Sequence, residues 1–315
     1  MVKNNIIDIV SFASPCSFEH NQLIKDLLQK NGFEYNFFNE DKVSVKTLPN
    51  NFFALDDAVQ RFINFQMSVN NPHSQILWCN RGGYGSADIL PFIYQMPKPQ
   101  LKKTLIGFSD IVSVATYVQQ KWGWRVICAP VLLQIILDKV SHESAQSIFN
   151  LLNHQVTKLE YDLKLLSGRE RKIDDGIIVG GCLSVLCGNL ATQNQINWRN
   201  KILFLEDEGE DGERLDRYFT QIAYLMNEKK IFPQAILLGN FSMKNEFGVP
   251  QTSKVEIAIQ RFCNKLKDVD IWQETSGSLG HSWQQAPLIL GAKTQISISG
   301  LSKAKLITKI NKNLI

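Results

Sequence analysis

Short apolar runs that stop at a glycine-bearing turn and give way to a helical pattern recur through the first half of this chain. No other sequence feature limits its possible folds as much. Ile6–Val10 reads as a strand and Phe18–Asn31 as a helix with Leu23, Ile24, Leu27 and Leu28 at helical spacing. Phe33–Phe38 alternates apolar and polar residues as a second strand, and Leu55–Val69 returns to the helical period. Ile76–Cys79 then runs into Arg81-Gly82-Gly83-Tyr84-Gly85, with Ala87–Tyr94 as the next helix. Thr104–Gly107 runs into Ser109, with Ile111–Gln120 as helix. Strand and helix in such alternation call for a parallel sheet covered by helices on both faces, an α/β fold.

Val131–Asn153 predicts one or two further helices, and the polar stretch Ser167–Asp175 reads as a linker. Beyond it the texture changes. Ile177–Val179, Lys201–Leu205 and Ala235–Gly239 read as strands, with helices over Arg214–Glu228 and Ser253–Lys265. Leu288–Ile289, Thr294–Ser299 and Ala304–Lys309 are β-rich and separated by glycine. The expectation is a first domain over 1–165, a linker over 166–175, and a smaller α+β domain with a partly closed sheet over 176–315. A chain of 315 residues can bury a core of that size.

The formal net charge of +4 comes from scattered lysines and arginines, which excludes nucleic acid as an expected partner. The N-terminal apolar stretch is short, broken by Asp8, and lacks a cleavage site, so it reads as a strand rather than a signal peptide. Nothing approaches a membrane-spanning apolar run, and the expected location is cytoplasmic. Cys16, Cys79, Cys128, Cys182, Cys187 and Cys263 form no C-x-x-C pair and sit in apolar contexts. That pattern suits reduced core thiols. The histidines and acids show no metal-ligand spacing, so neither metal nor cofactor is expected.

The chemistry points to Leu105-Ile106-Gly107-Phe108-Ser109-Asp110-Ile111. A hydroxyl at the C-terminal end of a strand sits where open α/β sheets place their reacting groups. Free backbone N–H groups of the following turn face any oxyanion forming there. The segment is not G-x-S-x-G, since Ile111 holds the last position. A serine nucleophile needs a base, and the base needs an orienting acid. Of five histidines, His281 stands out in the flexible loop Ser276-Gly277-Ser278-Leu279-Gly280-His281-Ser282. Four apolar residues, Ile202–Leu205, end abruptly at Glu206 and Asp207, and Glu206 directly extends the strand. The acidic run continues through Glu208, Glu210, Asp211 and Glu213.

Taken in order, several segments resemble the LD-carboxypeptidase family. They are Ala13-Ser14-Pro15, Arg81-Gly82-Gly83-Tyr84-Gly85-Ser86, Gly107-Phe108-Ser109-Asp110, Gly180-Gly181-Cys182-Leu183-Ser184, Leu205-Glu206-Asp207, Leu238-Gly239-Asn240-Phe241 and Gly280-His281. The resemblance implies a Rossmann-like N-terminal domain carrying the nucleophile and a β-rich C-terminal domain carrying acid and base. The active site would lie in the cleft between them, commonly in a homodimer. It implies a Ser109–Glu206–His281 triad, with an oxyanion hole from the backbone N–H groups of Asp110 and Gly83. Arg81, with Gly82 and Tyr84 of the same turn, is a candidate for substrate binding; Arg81 would either meet a terminal carboxylate or anchor the glycine turn. The implied activity is a serine carboxypeptidase releasing D-alanine from murein tetrapeptides. Alternatives are a microcin-immunity-type peptidase cleaving an aminoacyl-nucleotide amide, for which Trp198 is a stacking candidate, and a catalytically silent binding protein. The chain departs from the family's pattern at Cys128-Ala129-Pro130, where His-Gly-Pro is common, and at Asn80.

Overall fold

The computed structural model describes residues 5–38, 40, 58–242, 250 and 252–311. Two sheets organise them. Strands β1 (Ile6–Val10), β2 (Glu34–Asn36), β3 (Ile76–Cys79), β4 (Thr104–Ile106) and β5 (Arg125–Cys128) run parallel, in the spatial order β5-β4-β3-β1-β2. Both faces of this sheet are apolar because alternate residues go to opposite cores. Ile76 and Trp78 of β3 join Ile7, Ile9, Ile24, Leu28 and Phe149 on one side, while Leu77 and Cys79 join Val10, Phe65 and Leu105 on the other.

Helices α1 (Phe18–Lys30), α5 (Leu132–Ile136) and α6 (His142–Leu152) supply the first of those cores, and α2 (Ala58–Asn70), α3 (Leu90–Ile93) and α4 (Val112–Tyr117) supply the second. Local caps start two of them: the Ser17 hydroxyl accepts the His20 N–H at 3.2 Å, and Ser141 accepts that of Ser144 at 3.2 Å. Of the helix expected over Leu55–Val69, residues 55–57 lie outside the described residues.

The second sheet is a closed barrel of β6 (Lys158–Ser167), β7 (Ile173–Cys182), β8 (Ile202–Glu208), β9 (Ala235–Ser242), β10 (Ile271–Glu274), β12 (Lys293–Gly300) and β13 (Lys303–Lys309). Strands β7 to β10 are parallel neighbours, and β6, β12 and β13 close the ring antiparallel. Helices α8 (Gly212–Lys229) and α9 (Thr252–Lys265) bury Phe219, Ile222, Met226 and Phe262 against Leu203, Ile236 and Leu238 of the barrel wall.

Several expectations change on the structure. The sheet expected to be partly closed closes completely. Of the 166–175 stretch, residues 166–167 end β6 and 173–175 begin β7, and the polar residues between them connect two ten-residue barrel strands that are not paired with each other. Its Asp270 partner takes N–H donors from Arg169 and Arg171, both at 2.7 Å. Strand β11 (Leu288–Leu290) leaves the barrel region and pairs antiparallel with β5, Leu288 opposite Cys128. The Ala87–Tyr94 segment is a tight 3₁₀ turn followed by a single helical turn, because Pro91 sits at the helix start. The helix expected over Ile111–Gln120 begins with a 3₁₀ turn at Ser109 and widens into a π turn over Val118–Trp122 that stops at Gly123.

Candidate active site

Ser109 sits one turn past β4, at the point where extended backbone at Phe108 bends into the 3₁₀ turn. Its φ is 65°, in the left-handed region that a residue with a β-carbon seldom occupies. Strain of this kind costs about 1–3 kcal/mol and persists only where the surroundings enforce it. The turn is thus a strained elbow, although the chain lacks the second glycine of G-x-S-x-G.

The elbow is braced from two sides. Asp110 accepts the Ser86 N–H at 2.7 Å through its carboxylate, and its carbonyl accepts the Ser86 hydroxyl. Burial raises the Asp110 pKa above the ordinary carboxylate value, against the lowering effect of these donors. On the other side, α4 is held by the second half of the chain. Asn194 donates to the Ser113 carbonyl at 2.9 Å, and Asn189 to its hydroxyl at 3.4 Å. Val112 occupies the space that a side chain at Gly181 would need.

The glycine turn after β3 faces the same elbow. A β-carbon on Gly82 would lie 3.5 Å from that of Ser109. Ser14, from the turn after β1, clips the glycine turn from behind: its N–H donates to the Gly82 carbonyl at 3.2 Å, and its hydroxyl accepts the Tyr84 N–H at 3.1 Å. Gly83 (φ +100°) is tight against that serine, since a β-carbon there would stand 2.5 Å from the Ser14 hydroxyl oxygen. Arg81 donates to the Pro15 carbonyl at 2.9 Å, which ties it to the turn after β1. Tyr84 is about half exposed beside it. Arg61 carries no signal of its own in the sequence pattern around the site, yet its buried guanidinium donates to the carbonyls of Phe12 and Gly85 at 2.8 and 2.7 Å, tying both turns together. One clue was available: Arg61 shares a helix face with the buried Phe65 and Ser68 of α2.

Glu206 and His281 meet directly. Glu206 is fully buried in β8, two residues before that strand ends, and its Oε2 lies 2.6 Å from His281 Nδ1 and 3.1 Å from the His281 backbone N. A carboxylate only accepts, so Nδ1 carries the proton and Nε2 is left for other work. Nε2 faces Glu208, whose Oε2 is 3.8 Å away. Burial works against the imidazolium, but the Glu206 charge and hydrogen bond, with Glu208 and Asp207 behind them, outweigh it and raise the His281 pKa above its ordinary value. The loop carrying His281 is pinned to β9: Asn240 donates to the Leu279 carbonyl through its backbone N–H at 2.7 Å and to the His281 carbonyl through its side chain.

The Phe108 ring, one residue before Ser109, packs on the His281 imidazole with centroids 4.5 Å apart. The structure therefore brings the serine elbow against the Glu206–His281 pair. Ser109 Oγ makes no hydrogen bond among the described residues; such bonds are often long before substrate tightens them. Asp207 points away from Glu206, as alternation along a strand requires. It accepts the Ser184 N–H at 2.7 Å at the start of α7 (Leu183–Gly188) and the Glu208 N–H at 2.9 Å, and burial pushes its pKa up to about 6.

Cys128, in the segment that departs from the family's pattern, is buried on β5. Burial first, and the Glu206 charge second, push its thiol pKa well above the ordinary value, so it is an inert neighbour of the acid. All six cysteines are buried and free. Trp198 is core: it is 3% exposed, and its indole N–H donates to the Ile231 carbonyl at 2.9 Å, which removes it as a stacking platform.

Comparison with known proteins gives this arrangement a family. The LD-carboxypeptidase N-terminal domain matches residues 7–129 and the LD-carboxypeptidase C-terminal domain residues 175–296. The chain belongs to the LD-carboxypeptidase family, a family of peptidases. A Rickettsia prowazekii protein bearing a provisional carboxypeptidase name is 26% identical over 98% of this chain and 94% of its own length. The murein tetrapeptide carboxypeptidase of Pseudomonas aeruginosa is 29% identical over 58% of this chain and 61% of its own. Among solved structures, an MccF-like protein from Bacillus anthracis superposes with a TM-score of 0.78 at 18% identity, covering 99% of this chain and 98% of that one, a likeness of fold. No helix among the described residues is long and apolar enough to cross a membrane.

Proposed function

We propose that this protein is a serine-type LD-carboxypeptidase that releases terminal D-alanine from murein tetrapeptides. Ser109 would act as nucleophile, His281 as base and Glu206 as orienting acid, in a cleft between the parallel-sheet and barrel halves. The observation that carries the reading is the buried Glu206–His281 pair, 2.6 Å apart, with the Phe108–Ser109 elbow packed on its imidazole.

In this scheme His281 Nε2 takes the Ser109 proton as Oγ attacks the carbonyl carbon. Glu206 holds the Nδ1–H tautomer and stabilises the imidazolium. The backbone N–H groups of Asp110 and Gly83 receive the oxyanion, at about 2.7–4 kcal/mol for each such donor in comparable enzymes. The C–N bond then breaks with its electron pair going to nitrogen, which takes the proton from Nε2. Water, deprotonated by the same histidine, attacks the acyl-enzyme and restores Ser109.

The murein substrate is favoured by the Pseudomonas aeruginosa relative named for it. A second reading, an aminoacyl-nucleotide amide, keeps one observation in its favour: Trp283, two residues past His281, is 58% exposed and offers a face on which a base could stack. Incubation with L-Ala-γ-D-Glu-meso-diaminopimelate-D-Ala, following free D-alanine by mass spectrometry, tests the proposal. Release by the native chain and none by Ser109→Ala is expected. Release by both would remove Ser109 from its role, and release by neither would reject the murein substrate.

A further inference from the structure

A hollow of about 490 Å³ opens beside His281, on the side its Nε2 faces. Its wall includes Gln134 and Lys139, at the α5 end of the first half, and Glu208, Asn240, His281 and Trp283 from the second. Opposite charges on one wall are unusual for a site that takes a simple anion or cation. They suit a ligand that carries both.

We propose that this hollow receives the amino acid split from the peptide's C-terminus, Lys139 holding its carboxylate and Glu208 its amino group. The inference rests on the hydrolytic reading of Ser109, Glu206 and His281, and it adds where the departing residue sits and which side chains hold its two ends.

The direction follows from the histidine. Glu206 occupies Nδ1, so the proton that reaches the departing nitrogen leaves from Nε2, and the departing group lies in the space that Nε2 faces. That nitrogen leaves as an amine and takes a further proton from water at neutral pH, becoming an ammonium. Glu208, with Oε2 3.8 Å from Nε2, is the nearest anion to it. The residue's other end is a carboxylate. Lys139 forms no ion pair with any carboxylate among the described residues, while its backbone N–H is fixed to the Gln134 carbonyl at 2.8 Å.

Trp283 completes the pocket. Its carbonyl accepts the Ser141 N–H at 2.7 Å and the Ser144 hydroxyl at 3.3 Å, so the start of α6 fixes the backbone from which the exposed indole projects. The side chain of the departing residue would meet that indole. A peptide continuing past this residue, or one capped as an amide, would lose the Lys139 pairing.

The test compares kcat/KM for the tetrapeptide with a free C-terminal D-alanine and with D-alanine amide, in the native chain, Lys139→Met and Glu208→Gln. The native chain should prefer the free acid. Lys139→Met should lower the free-acid value by about 10- to 100-fold, the scale of one lost charged hydrogen bond, and leave the amide value unchanged. Equal losses on both substrates, or no loss, would overturn the proposal. If the native chain cleaves neither peptide, the hydrolytic reading fails, and the pocket is judged by binding alone. D-alanine titrated against the native chain should then give a saturable change in tryptophan fluorescence that Lys139→Met and Trp283→Phe both abolish. No change with D-alanine, or saturation by adenosine monophosphate instead, would sink it.

Discussion

Gly280 lies so close to Glu206 that a β-carbon at position 280 would stand 2.6 Å from Glu206 Oε2. The position has φ +102°, and only glycine meets both demands at once. The carboxylate can therefore reach the imidazole and the backbone N–H of His281 together because the residue between them has no side chain.

Gly280→Ala should separate Glu206 from His281 without dissolving the barrel. We expect kcat/KM to fall by at least about 100-fold, on the scale attached to small displacements of reacting groups, with the far-ultraviolet circular dichroism unchanged. An alanine variant that keeps native activity would mean the contact is not needed.

The acid limb of the pH–activity profile should report His281. Its pKa is raised, so the neutral, basic form needed for attack is lost at a higher pH than for an ordinary imidazole. Glu208 contributes to that rise, and removing its charge in Glu208→Gln should move the limb to lower pH. A kcat/KM profile whose acid limb stays in place after the substitution would exclude Glu208 as a cause.

Glu206→Gln keeps the shape of the acid but lets an amide N–H face Nδ1, favouring the wrong tautomer. A loss of about 10⁴ in kcat is expected, the scale of the equivalent change in a serine protease triad. Titration of the imidazole by NMR should show its pKa falling in the same variant, because the charge that raises it is gone. A fall of less than about tenfold in kcat would make Glu206 a packing residue only.

Arg61→Met should cost stability rather than chemistry at first remove. The substitution leaves the buried Phe12 and Gly85 carbonyls without their donor. At about 1–3 kcal/mol for each unsatisfied group, a loss of about 2–6 kcal/mol is expected in urea denaturation. A midpoint within about 0.3 M of native, with m of about 2 kcal/mol/M or more, would show those carbonyls find other donors.

Ser109, Glu206 and His281 could be singled out as candidates in the sequence because each stands where a regular pattern breaks: an apolar run meeting a turn, a strand meeting an acid, glycine preceding a histidine. The parallel sheet was legible for the same reason. The barrel was only partly so. Leu159, Tyr161, Leu163 and Leu165 alternate along β6 in the period of a strand, but charges between them masked it, since one side of that strand faces solvent. Strands β5 and β10 went unread: Arg125 opens one, and Gln273 and Glu274 close the other, so neither is an unbroken apolar run. The pairing of β11 with β5 joins residues far apart in sequence, and no local signal encodes it. Lys139 and Trp283 gave no sign because isolated surface residues acquire meaning only once a hollow brings them together.

That pairing of β11 with β5 also bears on synthesis. A chain emerging from the ribosome can assemble its first five strands long before Leu288 exists. In that interval β5 presents a bare hydrogen-bonding edge, the kind of template on which nascent chains stick to one another. The strand that covers the edge begins only seven residues after His281. Completion of the first sheet and delivery of the histidine are thus a single late event, so a truncated or stalled product would both expose a sticky edge and lack the Glu206–His281 pair.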